Sequence, residues 1–272
     1  MNTHQALQFK NHFGPWAIVT GATSGIGLAC ARELASFGLN LVLVARREPE
    51  LISLAAELGA PGVETRVVAA DLGTPAGLAQ VESATAGLDV GLLVAAAGFG
   101  TSGSFLAGSL ADELAMLDLN CRAGLQQSLH FGRRFATRGR GGLILFGSLV
   151  GFQGAPMAAH YAATKAYVQT LGEALHVEFA PLGVEVLVAA PGPVHSGFGA
   201  RARMKMGAAD SPTVVARATL AALGHRMTVT PGPLGKFLTW SLMTAPRSLR
   251  TRMMGKIMGG MARGSVGPGS TA

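Results

Sequence analysis

The sequence predicts an α/β fold, a doubly wound parallel sheet of about seven strands with helices on both faces. Short strand-like runs alternate with helix-like runs along most of the chain. Several strand-like runs are apolar at successive positions, as parallel strands covered on both sides are. No internal repeat or linker divides the chain into two cores. The strand-like runs are residues 17–20, 39–45, 64–69, 91–95, 142–146, 184–189 and 227–230. Between them, residues 25–37, 49–58, 75–86, 112–138, 159–179 and 212–224 carry helical periodicity. Residues 1–230 are therefore read as one domain, 231–263 as a basic, Met-rich extension and 264–272, rich in Gly, Ser and Pro, as a disordered tail.

Composition narrows the function classes. Hydrophobic residues make up 49% of the 272 and charged residues only 14%, against about 25% charged in an average soluble protein. Such an apolar surface predicts self-association, as a homodimer or homotetramer, or greasy partners. The net charge of +7 is uneven, because eleven of the 22 Lys and Arg lie beyond residue 200, with Asp210 as the one acid there. That stretch holds no recognisable nucleic-acid module, so nucleic acid is not expected as a partner. No run approaches the ~20 apolar residues of a membrane-spanning helix, and residues 1–13 are too polar for a signal peptide. The expectation is a cytoplasmic protein. Cys30 and Cys121 fall in predicted helices and read as small buried hydrophobes; no metal site is assigned.

The chemistry concentrates between Ser148 and Lys165. Ser148 follows the apolar run Leu143-Ile144-Leu145-Phe146, and Tyr161 comes thirteen residues later with Lys165 four beyond it. On a helix, positions i and i+4 share a face. A phenol ordinarily ionises near pH ~10; an ammonium beside it favours the phenolate and a serine hydroxyl can hold a carbonyl oxygen against it. These parts serve to reduce a ketone or oxidise an alcohol, given a hydride carrier. The other tyrosine, Tyr167, has Leu171 at i+4, so only Tyr161 fits.

The carrier's site is legible near the N-terminus. Trp16-Ala17-Ile18-Val19-Thr20 precedes Gly21-Ala22-Thr23-Ser24-Gly25-Ile26-Gly27 and a helical pattern. A glycine turn between strand and helix lets backbone approach a pyrophosphate at the helix N-terminus. The spacing is G-x3-G-x-G rather than G-x-G-x-x-G.

Taken in order, Thr20-Gly21-x-x-x-Gly25-Ile26-Gly27, Asn120, Ser148, Tyr161-x-x-x-Lys165 and Pro191-Gly192 resemble the signature of the short-chain dehydrogenase/reductase family over about residues 14–230. The resemblance implies a single Rossmann-type domain, a nicotinamide cofactor and a catalytic group of Asn120, Ser148, Tyr161 and Lys165. Lys165 would also hold the nicotinamide ribose, and Asn120 would anchor a water through which protons reach Lys165. Gly21, Thr23, Ser24, Gly25, Ile26 and Gly27 would cradle the pyrophosphate. The strand at 39–45 ends in Arg46 and Arg47 with no acid until Glu48, so NADP(H) is expected over NAD(H), with Arg46 on the extra phosphate. Asp71, followed by Leu72, would bind the adenine amino group, Thr74 being the better helix cap.

Where the family usually has Asn-Asn-Ala-Gly, this chain has Ala95-Ala96-Ala97-Gly98. Ala96, Ala97 and Gly98 would still pass under the ribose, with a different local brace. Pro191, Gly192, Val194 and Ser196 resemble the segment that holds the nicotinamide amide, and His195 is read as an exposed bystander.

Phe99, Phe105, Phe152, Met157, Phe198, Met204 and Met206 lie on the loops that would roof the pocket, and those loops show no arginine clamp before residue 201. They point to a lipophilic carbonyl compound or the matching alcohol: 3-oxoacyl, steroid-like or quinone. The extension carries Phe237, Leu238, Trp240, Leu242 and Met243 before Pro246, then Leu249, Met253, Ile257, Met258 and Met261 interleaved with Arg247, Arg250, Arg252 and Lys256. Such a segment could dock on an anionic membrane, cover the pocket or cross a subunit interface; Gly255, Gly259 and Gly260 would weaken it as a helix. The competing reading is a non-catalytic dinucleotide-binding sensor or scaffold, membrane-peripheral through that extension. Retention of both Tyr161 and Lys165 favours the enzyme, a dehydrogenase/reductase acting on CH–OH groups.

Overall fold

The computed structural model describes residues 3–59, 62–232, 235–236 and 246–263. Phe237, Leu238, Trp240, Leu242, Met243 and the tail expected to be disordered lie outside the described residues. Seven parallel strands form one sheet: β1 (Trp16–Thr20), β2 (Asn40–Ala45), β3 (Thr65–Ala69), β4 (Val90–Ala95), β5 (Gly141–Phe146), β6 (Val184–Ala189) and β7 (Thr228–Val229). Their spatial order is β3-β2-β1-β4-β5-β6-β7. The order reverses between β1 and β4, and a crevice opens there beyond the strands' carboxyl ends.

The helices are α1 (Thr3–Phe13), α2 (Gly25–Ser36), α3 (Glu48–Leu58), α4 (Pro75–Thr85), α5 (Leu110–Leu117), α6 (Ala123–Arg138), α7 (Ala159–Phe179), α8 (Phe198–Arg201), α9 (Pro212–Ala222) and a C-terminal helix, Arg247–Arg263. Two apolar layers sandwich the sheet. One gathers Ala17, Val19, Leu41, Leu43, Leu92 and Ile144 with α2 and α9. The other gathers Ile18, Val42, Leu93, Leu143 and Val186 with Phe131 and Phe135 of α6. Alternate side chains of each strand thus go to opposite layers, which is why the strands read as unbroken apolar runs.

Two departures from the sequence expectation matter. Residues 1–13 were read only as a polar stretch, yet α1 forms and buries Phe9 and Phe13. Phe9 packs on Phe13 and Phe37 at ring-centroid distances of 4.6 and 5.5 Å, so two apolar residues at i and i+4 seat the helix. The helix expected over 112–138 is interrupted. It begins at Leu110, and Asp118–Arg122 is wound as π-helix before α6. Asn120 sits in that π turn.

Candidate active site

The turn after β1 is shaped for close approach. Gly21 and Gly25 hold φ of 64° and 55°, left-handed conformations that glycine adopts without a Cβ clash. A Cβ on Gly27 would stand 2.3 Å from the Gly21 carbonyl oxygen, so only glycine lets α2 start this near the strand. Ser24, the N-cap of α2, makes no side-chain cap bond. The first N–H groups of α2 therefore face the crevice without that partner, as an anion site needs.

The Ala95-Ala96-Ala97 segment has its own brace. Thr20 Oγ1 donates to the Val94 carbonyl at 3.5 Å and accepts from Ala97 N–H at 3.1 Å. One hydroxyl at the end of β1 thereby holds the turn after β4, where asparagine side chains would otherwise do so.

At the far edge, Arg46 is exposed with no ion-pair partner among the described residues, whereas Arg47 pairs with Glu50 at 2.9 Å. Thr74 caps α4 by accepting from Gly77 N–H, and Asp71 accepts from Gly73 N–H at 3.0 Å through one carboxylate oxygen. The other oxygen makes no hydrogen bond to a described residue.

Ser148, Tyr161 and Lys165 converge where β5 ends and α7 begins. Lys165 Nζ donates to the Phe146 carbonyl at 2.8 Å and lies 5.8 Å from the centre of the Tyr161 ring. The two ionisable groups move in opposite directions for one reason. Burial pushes the Tyr161 phenol up to about 12, and the neighbouring Ser148 hydroxyl pulls it partway back. Burial also pulls the Lys165 ammonium down to about 8, against the opposing pull of Cys121. The sequence expectation was that Lys165 lowers the phenol. In the folded protein desolvation outweighs any such effect, because a phenolate here has lost its water. The phenol is neutral at pH 7, the form that gives a proton.

Asn120 serves as a clamp. Its Oδ1 accepts from Phe99 N–H at 3.1 Å, and its Nδ2 donates to the Phe99 carbonyl at 2.9 Å and to Thr164 Oγ1 at 3.1 Å. It ties the turn after β4 to the helix that carries Tyr161.

A cavity of about 740 Å³ joins these parts. Every residue anticipated at the cofactor lines it, as do Ser148, Tyr161 and Lys165; Asn120 stands behind its wall. His195 is exposed and off the cavity. Of the anticipated roof, Phe99, Phe198, Met204 and Met206 line the cavity, and Phe198 packs on Tyr161 at 5.3 Å. Phe105, Phe152 and Met157 do not line it; Phe105 is 68% exposed.

The rest of the roof comes from the C-terminal helix, through Met254, Ile257, Met258 and Met261. Of the apolar residues that could have lain on a membrane, Met258 and Met261 join Met254 in a cluster that includes Tyr161 and Met204, whereas Leu249, Met253 and Ile257 stay 40–48% exposed. Gly255 lies close against Pro156, whose ring would stand 3.2 Å from an added Cβ. Heptad-like spacing of methionines was the available sequence signal, and it did not say what they cover. Among the described residues no helix is long and apolar enough to cross a membrane, and no group of His, Cys, Asp and Glu could hold a metal ion.

Comparison with known proteins agrees with this fold. The family model described as short chain dehydrogenase matches residues 15–207. A 7beta-hydroxysteroid dehydrogenase of Clostridium sardiniense is 33% identical over 187 residues, 68% of this chain and 72% of that protein. A very-long-chain 3-oxoacyl-CoA reductase of Podospora anserina is 36% identical over 179 residues, 64% of this chain and 53% of that protein. A solved short-chain dehydrogenase from Sphingobium yanoikuyae in complex with NADPH superposes with a TM-score of 0.77 at 29% identity, covering 95% of this chain and 99% of that one.

Proposed function

Because the chain belongs to the short-chain dehydrogenase family, and so is an oxidoreductase working between hydroxyl and carbonyl groups, we propose that it is an NADP(H)-dependent reductase of a lipophilic ketone or aldehyde. The observation that carries this reading is the half-buried Ser148 beside the buried Tyr161, with Lys165 one turn on, at the junction of a glycine-turn crevice and a methionine-lined chamber. The crevice fits a nicotinamide dinucleotide. Its backbone turn leaves no room for a Cβ at Gly27 and little at Gly21, whose Cβ would meet Ala97 at 3.1 Å. Arg46 would meet the extra phosphate, Asp71 and Leu72 the adenine, and Lys165 the nicotinamide ribose. When bound, the cofactor supplies the hydride.

The chain's own residues do the rest. Ser148 and Tyr161 hold the carbonyl oxygen, fixing which carbon faces the crevice. Tyr161 gives its proton to that oxygen as negative charge grows there. Lys165, cationic below about 8, steadies the phenolate left behind, and Asn120 holds the turn on which that alignment rests. The apolar roof excludes water and takes the hydrocarbon body of the substrate. Steroid-like and 3-oxoacyl compounds fit this description, in keeping with what the two curated relatives are named for.

A panel of steroid ketones, 3-oxoacyl thioesters and quinones, followed by loss of NADPH fluorescence, tests the reading. At least one lipophilic member is expected to turn over; NADPH binding with no turnover anywhere would leave the sensor reading in its place. The pH profile follows from Lys165. Because its ammonium is held down to about 8, reductive kcat should fall as pH rises through that value, while the phenol at about 12 stays protonated. A flat profile from pH 7 to 10 would remove Lys165 from the mechanism.

The leucines of α5 and α6 support self-association as a homodimer or homotetramer. Leu110, Leu114, Leu117, Leu125 and Leu129 are 41–73% exposed, a stripe at helical spacing whose burial between copies would remove apolar surface from water.

A further inference from the structure

Resting on the reductase reading, we infer that Arg201 forms an oxyanion subsite at the end of the chamber, so that the substrate is a lipophilic carbonyl compound carrying a carboxylate or phosphate remote from its reacting carbonyl. The charged residues among the described lining of the cavity are few. Arg46, Arg47 and Asp71 stand at the β2–β3 edge, and Lys165 belongs to the catalytic group. Arg201 is the one charged residue among the aromatic and methionine side chains of the roof.

Its position is built. The guanidinium lies 4.9 Å over the Phe99 ring, and Asn120 pins the Phe99 backbone through both its N–H and its carbonyl. The segment around Arg201, the last residue of α8, is fastened from two sides. Ser102 Oγ donates to the Ala202 carbonyl at 2.6 Å, and Lys205 N–H donates to the Met261 carbonyl at 3.1 Å. Arg201 itself has no carboxylate partner among the described residues, and the sequence holds no acid beyond Asp210. A neutral hydrocarbon gains little from a cation at the chamber's exposed end. An amphipathic acid gains a planar, forked partner for its oxygens while its body stays in the apolar roof.

The test uses matched substrate pairs: a ketosteroid bearing a side-chain carboxylate with its methyl ester, and a 3-oxoacyl-CoA with the uncharged N-acetylcysteamine thioester of the same acyl group. The wild-type protein should favour the anionic member of at least one pair, and the pair that shows it tells carboxylate from phosphate. In Arg201→Met the anionic-to-neutral ratio of kcat/KM should fall about ten-fold, chiefly through KM, with partial recovery in Arg201→Lys. An unchanged ratio, or a loss equal on both members together with weaker NADPH binding, overturns the subsite; the latter makes Arg201 a cofactor contact. Turnover of neutral members with no anionic preference overturns the subsite and leaves the reductase standing. Absence of turnover on every member overturns both.

Discussion

Replacing Tyr161 by Phe is expected to lower reductive kcat by about a thousand-fold, within the range that a positioned general acid supplies. The phenol is buried, faces Ser148 and is neutral at pH 7 because burial has pushed it up to about 12. No other side chain among the described lining of the chamber offers a phenol to replace it. The substitution keeps the ring and its packing on Phe198 at 5.3 Å, so the fold should hold, and one lost hydrogen bond costs roughly 1 kcal/mol. NADPH affinity, read by fluorescence, should stay within a few-fold of wild type. Turnover at more than a tenth of the wild-type rate would remove Tyr161 from the proton step.

Arg46→Asp should reverse cofactor choice, moving the ratio of kcat/KM for NADPH over NADH down by about a hundred-fold. Two changes act together. A guanidinium suited to a phosphate is lost, and a carboxylate appears that repels phosphate and accepts hydrogen bonds from ribose hydroxyls. Arg46 is the residue to change because it is exposed and unpaired among the described residues, whereas Arg47 is occupied by Glu50 at 2.9 Å. As a surface position it should alter stability by about 0.5 kcal/mol or less. An unchanged ratio would place the phosphate contact elsewhere and withdraw the NADP(H) preference.

Much of the architecture was legible before any coordinate. The runs at 184–189 and 159–179 coincide with β6 and α7, because a strand buried on both faces and a long helix on the sheet leave unmistakable patterns. Thr74 as the cap of α4 was legible too, since capping is a local contact. The π turn at Asp118–Arg122 was not: one extra residue in a helical turn hardly disturbs a periodicity read over many residues. Nor was α1, whose two phenylalanines become a packing face only against Phe37 and the sheet.

The order of motifs along the chain determined the fold, the location of the glycine turn and the choice of Ser148, Tyr161 and Lys165 as the candidate catalytic group, because each depends on spacing within one strand, turn or helix. Folding alone decided what lies far apart in sequence and close in space. It set Met254 and Met258 over a tyrosine nearly a hundred residues earlier, Thr20 as the brace of Ala97, and Arg201 over Phe99. It also set the direction of both ionisations in the site, since burial is a property of the whole packed chain and no run of neighbouring residues encodes it.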